Sequence, residues 1–204
     1  MKKFAVLFTF IFISVATQAQ YIIPLIIGAT MPEHGFLPGK KFQFYPTLNK
    51  FDFVGKKLCV AFFDLRDSLE IKRLDCAKVD ITNESEFAGS NGAIKVIEYF
   101  QTLMPQAGIV IDSAATDTLK VYLEALDNRL IGFGSITAHG LCQMRIIHGN
   151  MVKTYCEDIT DKDPHSPIGR NAFVTRKTAT RVIQSASIRE VIEKIFADLK
   201  GYKE

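Results

Sequence analysis

The sequence contains no Cys-x-x-Cys pair, and no cysteine at all before Cys59. The first absence removes a thioredoxin-like redox activity. The second removes lipidation at an N-terminal cysteine. Four histidines, His34, His139, His148 and His165, show neither His-x-x-x-His nor His-Glu spacing, so no zinc enzyme is expected and no metal site is assigned. Gly-x-Ser-x-Gly, P-loop and Gly-x-Gly-x-x-Gly stretches are missing, and with them the commonest hydrolase and nucleotide signatures. The "GFG" of Gly132 to Gly134 lies inside a strand pattern and is no phosphate loop. The 25 basic residues barely exceed the 22 acidic ones, and no block of like charge occurs. Nucleic acid is therefore not an expected partner. Repeats and low-complexity tracts are absent, and at 48% hydrophobic the chain is not of disordered composition. No cofactor is implied.

What is present begins with "MKKFAVLFTFIFISVATQAQ". Lys2 and Lys3 form a positive start, Phe4 to Val15 an apolar stretch, and Thr17 and Ala19 the small residues of a cleavage site. This is the three-part pattern of a secretory signal peptide covering residues 1–19. The competing reading is an uncleaved anchor extended by Tyr21 to Ala29. Gln18, Gln20 and Pro24 interrupt it. Cleavage takes 25 basic residues to 23 against 22 acidic ones, close to neutrality. The expected location is the periplasm or the exterior, with membrane contact only indirect.

Residues 20–55 carry four prolines and four glycines, so regular structure should be sparse. They read as an extended N-terminal arm, followed by one mixed α/β domain over 56–204. Leu58 to Phe63 is apolar on both faces, as a covered strand would be. Ser68 to Leu74 alternates like a half-buried strand. Ile94, Ile97, Phe100 and Met104 form a helical stripe with Leu103 beside it. Ser90 caps this helix, and Pro105 and Gly108 end it. Leu119, Val121, Leu123 and Ala125 mark one face of a strand, and two further strands flank His148 to Asn150. The glycines at 132, 134 and 140 suggest bends or bulges. Near the C-terminus, the apolar residues from Ala179 to Ala186 and those from Ile188 to Leu199 fall on nearly opposite sides of a helical wheel. Ser187 to Glu190 reads as a capping box. The expectation is a helix over about residues 188–199, a break before it, and a separate helical segment at 172–185. The fold class is α+β: a largely antiparallel sheet packed with two main helices in two layers.

The hairpin "LCQMRIIHGNMVKTYC" places a cysteine near each end. With a three-residue turn, His148 to Asn150, Cys142 falls opposite Cys156. Gln143, Arg145, Lys153, Tyr155 and Glu157 then share a wet face. With a two-residue turn, Gly149-Asn150, Cys142 meets Glu157 instead. Export permits a disulfide, and opposed strand positions put one within geometric reach. Cys142–Cys156 is the leading pair, with two buried thiols as the alternative. Cys59 and Cys76, at the ends of a second hairpin, form a further candidate pair. Cys142, Met144 and Cys156 would together offer soft ligands for Cu(I).

Asp64, Arg66 and Asp67 close the first strand and are candidate binding residues. The plainer reading is a turn held by its own Asp–Arg hydrogen bonds. Asp158 to His165 gathers three aspartates and a histidine that suit a hard cation, but it lacks the glycine and glutamate of an EF-hand loop. A solvated loop fits better. No catalytic residues are assigned.

The strand ending in "FFDLRD", the helix running into "QTLMPQAGIVI", the "LKVYLEAL" strand, the long hairpin and the final helix ending "IFADL" follow an order that resembles the YajG-like envelope proteins. More distantly, it resembles auxiliary components of envelope transport systems. The resemblance spans about residues 57–199 and implies an α/β domain in the bacterial envelope, with no catalytic residues to carry over. The chain departs from it in lacking a lipidation cysteine, so it should be soluble in the periplasm or held by a partner. The "QAQ" at the cleavage site resembles exported proteins of Bacteroidetes-type bacteria. The expected function is a non-enzymatic binding or assembly module whose partner is another envelope protein. The alternative is a small exported hydrolase or metal-handling protein using Asp64, Arg66 and Asp67, or Cys142, Met144 and Cys156.

Overall fold

A computed structural model describes residues 51–66, 74, 76–78, 90–131, 136–163 and 176–201. The expected signal peptide, most of the expected arm, the strand expected at Ser68 to Leu74 (apart from Leu74), Asp67 and His165 lie outside the described residues. Strand β1 (Lys56–Asp64) leads to helix α1 (Ser90–Gln106), then β2 (Ile109–Ile111), β3 (Thr118–Ile131), β4 (Thr137–His148), β5 (Met151–Thr160) and helix α2 (Arg176–Gly201). The sheet order is β2-β1-β3-β4-β5. β1 is parallel to β2 and β3, whereas the longer β3–β4 and β4–β5 ladders are antiparallel. The expected α+β class, with two helices on a mainly antiparallel sheet, is what forms.

One apolar cluster joins both helices to one face of the sheet. Leu58, Leu119, Val121, Leu123, Met144 and Ile146 meet Val96, Phe100 and Leu103 of α1 and Ile188, Ile192, Ile195 and Phe196 of α2. Burying these side chains is the main favourable term in folding. Phe100 packs edge-on against Phe62 and Phe196, with centroids at 5.3 and 5.7 Å. Phe51 and Phe53, the end of the arm, also pack on Phe196.

The stripe of α1 differs from the expected one. Ala93, Val96, Tyr99, Phe100, Leu103 and Met104 are buried, while Ile94 is 49% exposed. Pro105 does not end the helix, which runs through it to Gln106; Gly108, at φ +81°, a conformation natural to glycine, follows its end as read.

Strand β3 starts with the expected alternation and then shifts register between Leu123 and Ala125. The bulge at Glu124 turns Ala125 to the opposite face, where it packs with Leu141 and Ala77. Leu126 takes over on the helix side and lies in the main cluster.

The break expected before residue 188 does not occur. α2 runs unbroken over 26 residues. Its two apolar stripes serve different neighbours: Ala179, Val182 and Ile183 pack with Ala138, and the later stripe joins the main cluster. Ser187 caps nothing, because its hydroxyl donates to the Gln184 carbonyl at 2.9 Å within the same helix. Gly140 neither bends nor bulges its strand. It lets α2 lie directly on β4: a Cβ there would sit 2.6 Å from the backbone nitrogen of Gln184. Among the described residues, no helix is long and apolar enough to cross a membrane.

Candidate functional site

The β4–β5 turn decides where the cysteines go. His148 pairs with Met151 across a two-residue turn, Gly149-Asn150, with Gly149 at φ +55°. Cys142 therefore opposes Glu157, and Cys156 opposes Gln143. A one-residue change of register exchanges the faces of a strand, so Cys142 and Cys156 lie on opposite sides of the sheet. The expected Cys142–Cys156 bridge is thereby corrected, and so is the soft-metal group of Cys142, Met144 and Cys156. Cys156 is instead bonded to Cys76, with Cα atoms 5.8 Å apart. The expected Cys59–Cys76 pair is excluded by the same bond. Cys59 sits in β1 opposite Thr118, and β1 has parallel neighbours rather than a hairpin partner. Cys59 and Cys142 are free thiols. Burial, followed by the nearby Glu157 charge, pushes the Cys142 thiol well up.

The polarity sorting that favoured the longer turn had another cause. Lys153, Tyr155 and Glu157 are on the helix face and are paired at its rim. Lys153 and the Tyr155 hydroxyl both bond Asp198 of α2, the latter at 2.7 Å, and Lys194 of α2 pairs with Glu157.

Asp64 and Arg66 hold each other. Arg66 Nε and Nη2 donate to the two carboxylate oxygens at 2.8 and 2.7 Å, a bidentate contact. The Arg66 hydrogen bonds keep the Asp64 carboxyl below its ordinary range. Asp67 falls outside the described residues.

Away from the helices, the sheet's second face carries two polar groups. The first is buried and did not emerge from the sequence. The β4 residue His139 lies between two aspartates, its Nδ1 2.5 Å from Asp158 Oδ1 and its Nε2 3.2 Å from Asp127 Oδ2. All three side chains are fully shielded from solvent. Arg129 Nε donates to Asp127 Oδ2 at 2.7 Å, and the Lys78 amide donates to Asp158 Oδ2 at 2.5 Å. Burial works against the charged imidazole, but the hydrogen bonds to both carboxylates outweigh it, and the His139 pKa is raised. A carboxylate at each ring nitrogen suits an imidazolium that donates twice. Sealed in this way, the group holds its charge away from solvent. Asp158, read from the sequence as part of a cation loop, is a β5 residue turned into this cluster. The available signal was a set of polar residues interrupting apolar strands, but only the register shows that they converge.

The second group is accessible. Phe63 of β1 is 41% exposed and stacks on Tyr122 of β3, with centroids 4.8 Å apart and planes at 16°. Arg145 of β4 lies 4.5 Å above the Tyr122 ring. Glu124, displaced by the bulge, accepts from Arg145 Nε at 2.6 Å and from Gln143 Nε2 at 2.9 Å. Three adjacent strands thus supply an aromatic and charged ladder whose members hold one another in place.

No family model and no curated protein matches the chain. Similar solved structures include a Xanthomonas campestris protein of the DUF330 family, with 10% identity, a TM-score of 0.40, and coverage of 78% of this chain and 89% of that one. The rare lipoprotein B of Shewanella oneidensis has 9% identity and a TM-score of 0.38, over 72% of this chain and 95% of that one. A minor lipoprotein of Acinetobacter baumannii has 8% identity and a TM-score of 0.38, over 72% and 94%. The YajG-like resemblance has no family match behind it.

Proposed function

We propose that the chain is an exported, non-enzymatic envelope protein that binds another envelope protein through the open face of its sheet. The observation that supports this most is the Phe63–Tyr122–Arg145 ladder. Aromatic rings and arginine are the side chains that dominate the energetics of protein interfaces. Here they are fixed in advance, so little side-chain freedom is lost on association. The N-terminal pattern of Lys2, Lys3, the Phe4 to Val15 stretch and Ala19 supports export. The His139 cluster is shielded from solvent, which favours binding over catalysis.

The test is site-specific photo-crosslinking in the native envelope from a probe placed at Tyr122, with a probe at the helix-side rim residue Lys194 as control. A discrete crosslinked partner from Tyr122, lost with Phe63→Ala or Arg145→Ala, is the expected result. Monomeric mature protein with no product from the Tyr122 probe removes the reading.

A further inference from the structure

The Cys76–Cys156 bond spans 80 residues of sequence and ties the described segment Cys76 to Lys78 to β5. Next to Cys76, this segment does two things on the sheet's second face. Ala77 is buried against Ala125 and Leu141. The Lys78 amide donates to Asp158 Oδ2, the oxygen that His139 does not use. A chain of contacts therefore runs from the bridge through the Lys78 amide to Asp158, His139, Asp127 and Arg129.

Among the described residues, the groups around His139 come from β3, β5 and the turn after β5. β3 supplies Asp127 and also Arg129, the register partner of His139. β5 supplies Asp158, and also Thr160, the register partner on that side. The turn after β5 supplies Asp161, whose amide bonds the Ala138 carbonyl, and Asp163. Asp163 accepts from Lys78 Nζ and the Thr160 amide, both at 2.8 Å. Asp127 Oδ1 has no hydrogen-bond partner among the described residues. A buried carboxylate oxygen left in that state gains most from water if water can enter.

We propose that the Cys76–Cys156 disulfide is a redox-controlled clamp that keeps the Asp127–His139–Asp158 cluster dry, and that its reduction by a dithiol opens the cluster to water. In the step, a dithiol of the reductant transfers two electrons and two protons. The Cys76–Cys156 bond breaks, both residues become thiols, and the reductant closes its own disulfide. Cys142 takes no part, being buried on the other face. Once the bond is broken, the described contacts that remain to this segment are the Ala77 packing, the Ala77 amide bond to Leu74, and the Lys78 bonds to Asp158 and Asp163. The main cluster, which contains neither Cys76 nor Cys156, keeps its contacts.

The experiment follows two signals by NMR on the mature chain, oxidised and after dithiothreitol, with the Cys76→Ser/Cys156→Ser double variant as a fixed reduced form. The signals are the His139 ring titration and the exchange of the Lys78 amide. In the oxidised protein, His139 should titrate above the ordinary histidine value of 6.5. On reduction its midpoint should fall towards that value, and Lys78 amide protection should drop at least about tenfold. A second variant, Lys78→Pro, removes the amide donor and keeps the bridge. It should lower the His139 midpoint in the oxidised protein as well. Identical His139 and Lys78 behaviour in both redox states overturns the proposal. So does an unmoved His139 in Lys78→Pro, and so does cooperative loss of the whole fold on reduction.

Discussion

The contact of α2 with β4 at Gly140 makes a sharp quantitative demand. A Cβ on residue 140 would lie 2.6, 2.7 and 2.8 Å from Gln184 N, Gln184 Cα and Ile183 C. All three are backbone atoms of a helix interior, so no flexible side chain can swing away. Ordinary contact needs roughly 3.5 Å or more between carbon atoms, so Gly140→Ala must push helix and sheet apart. Overpacking of this kind costs about 1–3 kcal/mol. The separation also stretches the bond from Gln184 Nε2 to the Leu141 carbonyl, 2.8 Å long and fully buried, at about 0.5–1.5 kcal/mol. A total near 2–4 kcal/mol corresponds to a fall in Tm of about 5–15 °C for a domain of this size. Thermal unfolding followed by circular dichroism measures it, with Gly201→Ala as control, because a Cβ there meets nothing within 4 Å. The control should be neutral or gain a few tenths of a kcal/mol, up to about 1. If Gly140→Ala melts within 2 °C, on the order of the scatter among harmless surface substitutions, the packing argument is wrong.

Three further outcomes are expected. Reducing the Cys76–Cys156 bond, which closes a separation of 80 residues, should lower stability by up to about 4–5 kcal/mol in the chain-entropy model. Chemical denaturation with and without reductant measures this, and peptide mapping that found Cys142 joined to Cys156 would contradict the structure. The His139 pKa is raised in the folded protein, so its stabilising contribution is complete below the ordinary value of 6.5 and is lost as pH climbs through the raised folded value. Tm should therefore decline above about pH 6.5, and His139→Gln should flatten that slope; an unchanged slope argues against a charged imidazole. Finally, a thiol reagent at pH 8 should modify half-exposed Cys59 in the native protein and leave Cys142 untouched until unfolding, because Cys142 is buried and its thiol is pushed up. Equal labelling rates at the two sites would show that Cys142 is not buried.

Local pattern made much of the fold legible. The apolar run at Leu58 to Phe63, the alternation from Leu119 to Leu123 and the span from Ser90 to Gly108 each reflect nearest-neighbour physics, and each formed the expected type of element, although the first was expected to be covered on both faces and Phe63 is 41% exposed. The Asp64–Arg66 turn was legible for the same reason, since its partners are two residues apart. The failures share the opposite property. The pairing of Cys76 with Cys156 and the convergence of Asp127, His139 and Asp158 join residues distant in sequence. They also depend on whether one turn has two residues or three. A strand's alternation says which residues share a face, but not which face meets which neighbour. One bulged residue, Glu124, was enough to move Ala125 across the sheet.

The sequence by itself determined the class of fold and the type of most elements, and it carries an N-terminal pattern of the kind expected of a signal peptide. These follow from periodicity and composition, properties of contiguous residues. Only the tertiary structure decided which cysteines bond, that α2 runs unbroken, and that a histidine lies sealed between two aspartates. Those outcomes depend on register and on close approach between elements, where a shift of one residue or a single added methyl group changes which atoms meet.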